Sequence, residues 1–514
     1  MKITDLKPKL VWECFDEITK VPRPTHHLDR MKDFLVGWAE KHGLRYATDE
    51  VGNVVMYCPA TPGHEDAPTV VLQGHQDMVA EKRGDVEHDF LTDPIKTVVE
   101  GDWVRAEGTT LGADNGLGCA SAMAAMIDPD LVHGPIEALF TVDEEQGLTG
   151  ANGLDASLIS GRILLNLDSE EHGMIVIGCA GSMCTIATYP MEETDAPEGF
   201  DWYEVHIDHL KGGHSGMEIH LGRGNANQLL ARFLWLAEDE FGVIMLSDFQ
   251  GGGLPNAIPR EAKALVGIPA GNGEAFEKMA EIYRATIHDE LRLAEGDSFT
   301  FTVSMREKSA RMIGEEYVSP LISTIFGTPN GVQGMSLAVP GLVETSSNLA
   351  SVHKEGDDKV VVTTHQRSSV DSKREEITDR ITALYENIGC VVETNDPSVG
   401  WAPNPESKLL KTAEESFKDL FGYQPKVEAL HAGLECGIFL EKMPGMDMIS
   451  FGPTLKDIHS PNEKAYIPSV EEYCKFLTEL LRRLAYHQAP QMGKELEHRY
   501  ALRETSGGRN ALFS

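Results

Sequence analysis

No apolar run in this 514-residue chain approaches the ~20 residues that a membrane-spanning helix needs. The segment Met1 to Lys20 carries Asp5, Glu13, Asp16 and Glu17 and lacks the apolar stretch of a signal peptide. A cytoplasmic protein is the expectation. The eight cysteines, Cys14, Cys58, Cys119, Cys179, Cys184, Cys390, Cys436 and Cys474, include no C-x-x-C pair and no zinc-ribbon spacing. That pattern fits buried thiols in a reducing compartment, so any metal must be held by His and carboxylate. Basic residues are outnumbered, 45 Lys and Arg against 81 Asp and Glu, for a formal net charge of −36. A surface of that sign repels phosphate backbones and anionic lipid, which argues against nucleic-acid and membrane partners. Acidity otherwise speaks for solubility and identifies no substrate.

With 41% hydrophobic and 25% charged residues the composition is that of an ordinary globular protein. The length exceeds what one core serves, so two domains are expected. The N-terminal third alternates helix and strand. Leu28 to His42 has helical periodicity, Asn53 to Tyr57 reads as a short strand, and Gly116 to Ile127 is an Ala- and Met-rich helix. Val70 to Leu72, Ile136 to Val142 and Ile163 to Leu167 are short apolar runs, as in strands buried on both faces. Such alternation predicts an α/β sheet.

The middle of the chain differs. From Tyr203 to Glu307 the order is strand, helix, strand, strand, helix, strand, a β-α-β-β-α-β unit. A related pattern follows, with strands near Leu342–Val352 and Lys359–Thr364, a helix at Ser372–Ile388 and a strand at Cys390–Thr394. The expected insert is therefore two stacked halves. Alternation resumes from Pro403 and ends with a helix over Val470–Tyr486; the polar tail Gln488 to Ser514 is expected to be disordered. The predicted domains are a catalytic domain from 1–187 and 396–487, an inserted lid over 188–395, and a tail over 488–514.

Four apolar strands run into groups able to bind metal. Val70-Val71-Leu72 leads to His75 and Asp77, Phe140-Thr141-Val142 to Asp143-Glu144-Glu145, and Ile163-Leu164-Leu165 to Asp168. Met448 to Gly452 leads towards His459, and Asp114 sits in the turn Gly112-Ala113-Asp114-Asn115-Gly116 before a helix. Singly, each is an ordinary feature: an H-x-D pair on a surface, a solvated acidic turn, a capping Asp. Jointly they place several acids after buried strands, where unpaired charge costs several kcal/mol apiece. A pair of divalent cations is the simplest neutraliser, and the crevice beyond the strand ends is where they would converge.

This order of motifs resembles the co-catalytic zinc peptidases that include carnosinases and carboxypeptidase G. More narrowly, Val21-Pro22-Arg23-Pro24, Gly74-His75-Gln76-Asp77-Met78-Val79 and Leu111 to Gly116 are similar to the aminoacyl-histidine dipeptidase branch. So are Ala432-Gly433-Leu434-Glu435-Cys436-Gly437 and Ile458 to Glu463, and the likeness runs from about Leu6 to Tyr486. The resemblance implies an α/β zinc-peptidase catalytic domain, a mixed sheet with helices on both faces. It also implies an inserted α+β lid of two ferredoxin-like halves. It makes Asp114 the carboxylate bridging two Zn2+ per subunit, replaceable by Co2+ or Mn2+, with a cis peptide between Asp114 and Asn115. His75 and Asp168 complete one ion, Glu145 and His459 the other. Asp77 holds the His75 imidazole, and Glu144 is the general base towards the metal-bridging water.

In the lid, Gly212-Gly213-His214-Ser215-Gly216 is similar to the family's lid-histidine motif, which assigns His214 to the carbonyl oxygen of the transition state. Asn256 and Arg367 match positions that hold the substrate's terminal carboxylate, and Gly433 lies in a loop expected to line the pocket. An ion pair at a strand end and a turn before Pro259 are the plainer readings of Arg367 and Asn256. His26, His27, His206, His209, His220 and His431 have no spacing that favours a ligand over a surface or packing role.

The expected activity is cleavage of unblocked dipeptides, with Xaa-His preferred on resemblance alone. An N-acyl amino acid amidohydrolase would use the same metals and base. A non-catalytic metal scaffold would lack a ligand or the base, and here each position is filled. A two-halved lid supplies His214, Asn256 and Arg367 within one chain, so catalysis does not require the homodimer that remains open.

Overall fold

The apolar runs behave as their composition dictates. In the computed structural model, which describes residues 1–486, Val70–His75 and Ile136–Thr141 are strands buried at every position. Each fully buried Val or Leu contributes roughly 2 kcal/mol of transfer free energy, and only a strand covered on both faces uses the whole run. The predicted tail beyond Tyr486 lies outside the described residues.

The chain divides into two units. The first comprises Met1–Ile177, Asn404–Glu428 and, among the described residues, 438–486. Its eight-stranded sheet runs Arg45–Thr48, Val54–Cys58, Ile136–Thr141, Val70–His75, Ile163–Asn166, Asp447–Ser450, Met174–Cys179, Lys426–Leu430. The second and third of these pair antiparallel, and the four from Ile136–Thr141 to Asp447–Ser450 are mutually parallel. The sheet is therefore mixed. Parallel neighbours end on the same edge, and the register sets His75 opposite Thr141, and Asn166 opposite both Gln73 and Ser450. All four chain segments that leave this edge carry a candidate ligand or lead to one.

Helix Ala113–Ile127 packs on Val70–His75, and helix Lys9–Thr19 packs on that helix in turn. Asp114 and Asn115 depart from helical geometry, so regular helix starts at Gly116, as the sequence predicts. A second small sheet of Leu455–Lys456, Lys464–Tyr466, Trp103–Ala106 and Thr97–Glu100 flanks the His459 loop in sequence. Its two- to four-residue strands carry too short a pattern to be read from sequence.

The second unit comprises Gly178–Pro403 and Ala429–Gly437. Its first half is the predicted β-α-β-β-α-β: Phe200–Asp208, Ala226–Phe241, Met245–Gly252, Ala262–Pro269, Gly273–Glu295, Thr300–Arg306. The second half has the same order: Gly181–Pro190, Glu315–Gly327, Val343–Glu355, Lys359–Ser368, Asp371–Glu386, Val391–Ser398. In each, the strands lie fourth-first-third-second, the ferredoxin-like arrangement. The halves are not stacked. They lie side by side in one sheet, joined where Gln250, Gly251 and Gly252 pair with His353, Val352 and Ser351. One apolar core, with Phe233, Phe249, Phe276, Ile377 and Tyr385 among its members, runs through both. No helix among the described residues is long and apolar enough to cross a membrane.

Candidate metal centre

Asp114 joins two groups of potential ligands in the first unit. His75, Asp114 and Asp168 form one, and Asp114, Glu145 and His459 the other, with ligand atoms in each group within 4.8 Å of one another. The two oxygens of Asp114 face different groups. Oδ1 lies 3.1 Å from His75 Nε2 and Oδ2 lies 3.1 Å from His459 Nε2. His75 Nε2 is 3.4 Å from Asp168 Oδ1, and His459 Nε2 is 2.9 Å from Glu145 Oε2.

The side chains of Asp114, Glu145 and Asp168 are 11%, 4% and 9% exposed, and Glu145 Oε1 and Asp168 Oδ1 have no hydrogen-bond donor among the described residues. Burial pushes Asp168 up to about 6, against the pull of His75. His459 is drawn up to about 10 by hydrogen bonds to Asp114 and Glu145. Three acids around two imidazoles leave a deficit of positive charge that costs several kcal/mol per uncompensated ion. Imidazole nitrogens and carboxylate oxygens are the donors that zinc-type cations take. The residues present therefore fit two divalent cations sharing Asp114.

The backbone around Asp114 explains the surrounding glycines. The Asp114–Asn115 peptide is cis. Asn115 Nδ2 donates to the carbonyl of Leu167 at 2.7 Å, tying this turn to the residue before Asp168. A Cβ at Gly74 or Gly118 would stand 2.3 or 2.4 Å from Asn115 Oδ1, so only hydrogen fits at either position.

Asp77, fully buried, does more than face His75. Its Oδ1 lies 3.2 Å from His75 Nδ1 and accepts the backbone N–H of Glu144 at 3.0 Å. Its Oδ2 accepts from Glu145 N at 3.3 Å and from Thr25 Oγ1 at 2.9 Å. One carboxylate thus sets both the imidazole and the turn carrying Glu144 and Glu145. Asp143 enters that turn with φ of 48°, a left-handed conformation that Asp tolerates better than most residues.

The second unit gathers a separate cluster. His214 lies in the two-residue strand Gly213–His214, paired with Ala257–Ile258, and Ser215 N donates to the Asn256 carbonyl at 2.7 Å. His214 Nδ1 accepts the backbone N–H groups of Gly216 at 3.1 Å and Met217 at 3.0 Å. Two donors on Nδ1 place the ring proton on Nε2, leaving an N–H to offer. Burial and then the Arg367 charge keep His214 below its ordinary value, hence neutral near pH 7.

Arg367, on the strand Lys359–Ser368, is buried, and its Nε has no hydrogen-bond partner among the described residues. A Cβ at Gly216 would meet His431 O at 2.3 Å, His214 Cε1 at 3.0 Å and Arg367 Nε at 3.2 Å. His214, Arg367 and His431 therefore meet at a glycine with no room for a side chain. His431 is buried, with Ser346 Oγ 2.7 Å from its Nε2. Burial, then Arg367, push it down to about 3, and push His365 down to about 4. The cluster is one guanidinium amid neutral imidazoles, a place for an anion. Asn256 and Gly433 are exposed in the same unit. In sequence, His431 is marked only by its closeness to the Gly433 loop, and His365 and Ser346 by nothing in their spacing; only strand register brings Ser346 opposite Arg367.

A third group, His206, Asp208 and Glu261, also has clustered ligand atoms. His206 Nε2 already bonds Glu261 at 2.9 Å and both Asp208 oxygens face His209. It is satisfied without an ion. Among residues that went unassigned, Asn115 and Thr25 join the centre through hydrogen bonds, and Arg23 and Glu463 are buried charges beside Asp114.

Known proteins resemble the chain in sequence and in fold. The chain is 39% identical over 483 residues to the cytosol non-specific dipeptidase of Escherichia coli (strain K12), covering 94% of this chain and 99% of that one. Its fold matches the crystal structure of aminoacylhistidine dipeptidase from Vibrio alginolyticus with a TM-score of 0.90 at 40% identity, over 94% and 98% of the two chains. Aminopeptidase PepT from Bacillus cereus shares the fold at a TM-score of 0.59 and 16% identity, over 93% and 99%. The model of peptidase family M20/M25/M40 spans residues 71–483, and the chain belongs to that family.

Proposed function

We propose that this protein is a cytoplasmic, metal-dependent dipeptidase that hydrolyses unblocked dipeptides, Xaa-His among them. The observation that carries the reading is Asp114, whose two oxygens each face a separate imidazole. The dipeptidases named above support the substrate class.

His75, Asp114 and Asp168 would hold one Zn2+ and Asp114, Glu145 and His459 a second. When bound, such ions supply Lewis acidity and ease the deprotonation of water. The chain's own residues do the rest. Glu144 takes a proton from the attacking water and delivers it to the departing amide nitrogen. The water oxygen bonds to the carbonyl carbon, the C–N bond breaks, and two free amino acids result. Asp77 holds His75 and the Glu144 turn in register. His214, neutral with its proton on Nε2, donates to the carbonyl oxygen as negative charge grows there. Arg367 pairs with the substrate's terminal carboxylate, helped by Asn256 and the Gly433 loop. A clamp on a free carboxylate one residue from the scissile bond fixes the C-terminal side, and restriction to dipeptides follows if the catalytic domain also blocks the amino end.

The test is hydrolysis of Ala-His, β-Ala-His, Gly-Leu, a tripeptide and an N-acetyl amino acid, before and after chelation and zinc repletion. Zinc-restored cleavage confined to the dipeptides is expected. Cleavage of the acetylated compound alone would replace the reading with an amidohydrolase.

A further inference from the structure

The turn that carries Asp114 is gripped from two sides by buried charges that no ligand role explains. Glu463, 2% exposed, accepts four consecutive backbone N–H groups. Its Oε2 takes Leu111 at 2.8 Å and Gly112 at 3.0 Å; its Oε1 takes Ala113 at 2.8 Å and Asp114 at 3.3 Å. Arg23, also 2% exposed, binds the carbonyls. Its Nη1 donates to Gln76 O at 3.0 Å and Asp77 O at 2.8 Å, and its Nη2 donates to Gly112 O. A Cβ at Gly112 or Gly116 would lie 2.6 Å from the Arg23 guanidinium, so both glycines make room for it.

Glu463 is itself fixed to a ligand. It closes the turn that begins after His459: Glu463 N donates to Ser460 O at 3.1 Å, and Ser460 Oγ donates to Asp457 O at 2.6 Å. His459 is held there with φ of 56°. Moving the Glu463 carboxylate therefore moves His459 relative to Asp114. Beside the direct contact of His459 Nε2 with Asp114 Oδ2 at 3.1 Å, Glu463 thus ties the backbones of the two ligand segments.

We propose that Glu463 is a positioning residue that registers His459 against Asp114 and so sets the affinity of the ion shared by Asp114, Glu145 and His459. Arg23 is its counterpart, registering Asp114 against His75 and Asp77. The inference rests on the metal-centre reading. A carboxylate is required because its acceptor-only oxygens meet four donors; the amide of Gln would turn N–H groups towards N–H groups. Loss of such an orienting partner costs ~10–100-fold in metal affinity in metal sites generally.

The experiment titrates metal-free wild type, Glu463→Gln and Glu463→Asp with Co2+ and Zn2+ against a chromophoric chelator, recording the Co2+ visible spectrum. Circular dichroism of each metal-free variant reports the fold. The wild type is expected to bind two ions. Glu463→Gln should weaken one of them ~10–100-fold and alter the Co2+ spectrum of that ion, while the other stays bound. Glu463→Asp, which keeps the charge, should recover part of the loss and serves as the variant should the Gln protein not fold. Wild-type affinity and spectrum for both ions in a folded variant would overturn the proposal, even if its melting point fell. A wild type that binds no metal pair would instead overturn the metal-centre reading beneath it.

Discussion

Glu144 and Glu145 are neighbours with one Asp behind them, yet their roles should separate cleanly. Asp77 receives both backbone N–H groups, so the turn survives a change at the Glu144 side chain. Glu144→Ala should keep both metals, by elemental analysis, and lose ~10²–10⁴-fold in kcat, the usual worth of a general base. Asp114→Ala should behave differently and release both ions together; loss of just one would contradict a shared carboxylate. At the second cluster, the Arg367 charge adds to burial in holding His214 below its ordinary value. Arg367→Met should therefore raise the His214 pKa, read from its imidazole NMR shifts, and raise KM for a dipeptide more than it lowers kcat. The ligand-type residues were legible because each follows an apolar run or a Gly-rich turn. Glu463 and Arg23 were visible only as letters in a motif, since their partners are backbone groups that leave no trace in composition.

Elements were legible where burial writes a pattern. Val70–His75, Ile136–Thr141 and Ile163–Asn166 announce themselves by continuous apolar residues, and the first half of the second unit by alternating strands and helices. The second half was read without its first strand and first helix. Gly181–Pro190 and Glu315–Gly327 belong together, but the whole first half intervenes, and a pattern cut in two loses its period. The junction between halves is short and depends on glycine. A Cβ at Gly252, whose φ is 71°, would stand 1.9 Å from Ala350 O, whereas one at Gly253 would touch nothing within 4 Å. Gly252→Val should cost at least ~2 kcal/mol through strain and overpacking, and Gly253→Ala should be silent in the same thermal melt.

For the molecule as a whole, metal binding and stability are one equilibrium. Ions that bind only the folded chain add about 4 kcal/mol when free ion exceeds Kd a thousandfold. Chelation should therefore lower the unfolding midpoint by several degrees and zinc should restore it; an unchanged midpoint would argue that the buried acids are satisfied some other way. The charge of −36 raises the local concentration of cations and is screened by salt over about 10 Å at 0.1 M, so apparent metal affinity should be greatest at low ionic strength.

The nesting of one half inside the other has a consequence for synthesis on the ribosome. Phe200–Asp208 through Thr300–Arg306 is contiguous, so the inner half emerges complete and can close first. Gly181–Pro190 appears before it but finds its neighbours only when Lys359–Ser368 and Val391–Ser398 follow. At ~5–20 residues per second that is a wait of roughly 10–40 s with both strand edges unpaired. The nascent chain thus carries an exposed edge for most of the time the second unit is being made, and a chaperone bound there has a defined interval in which to act.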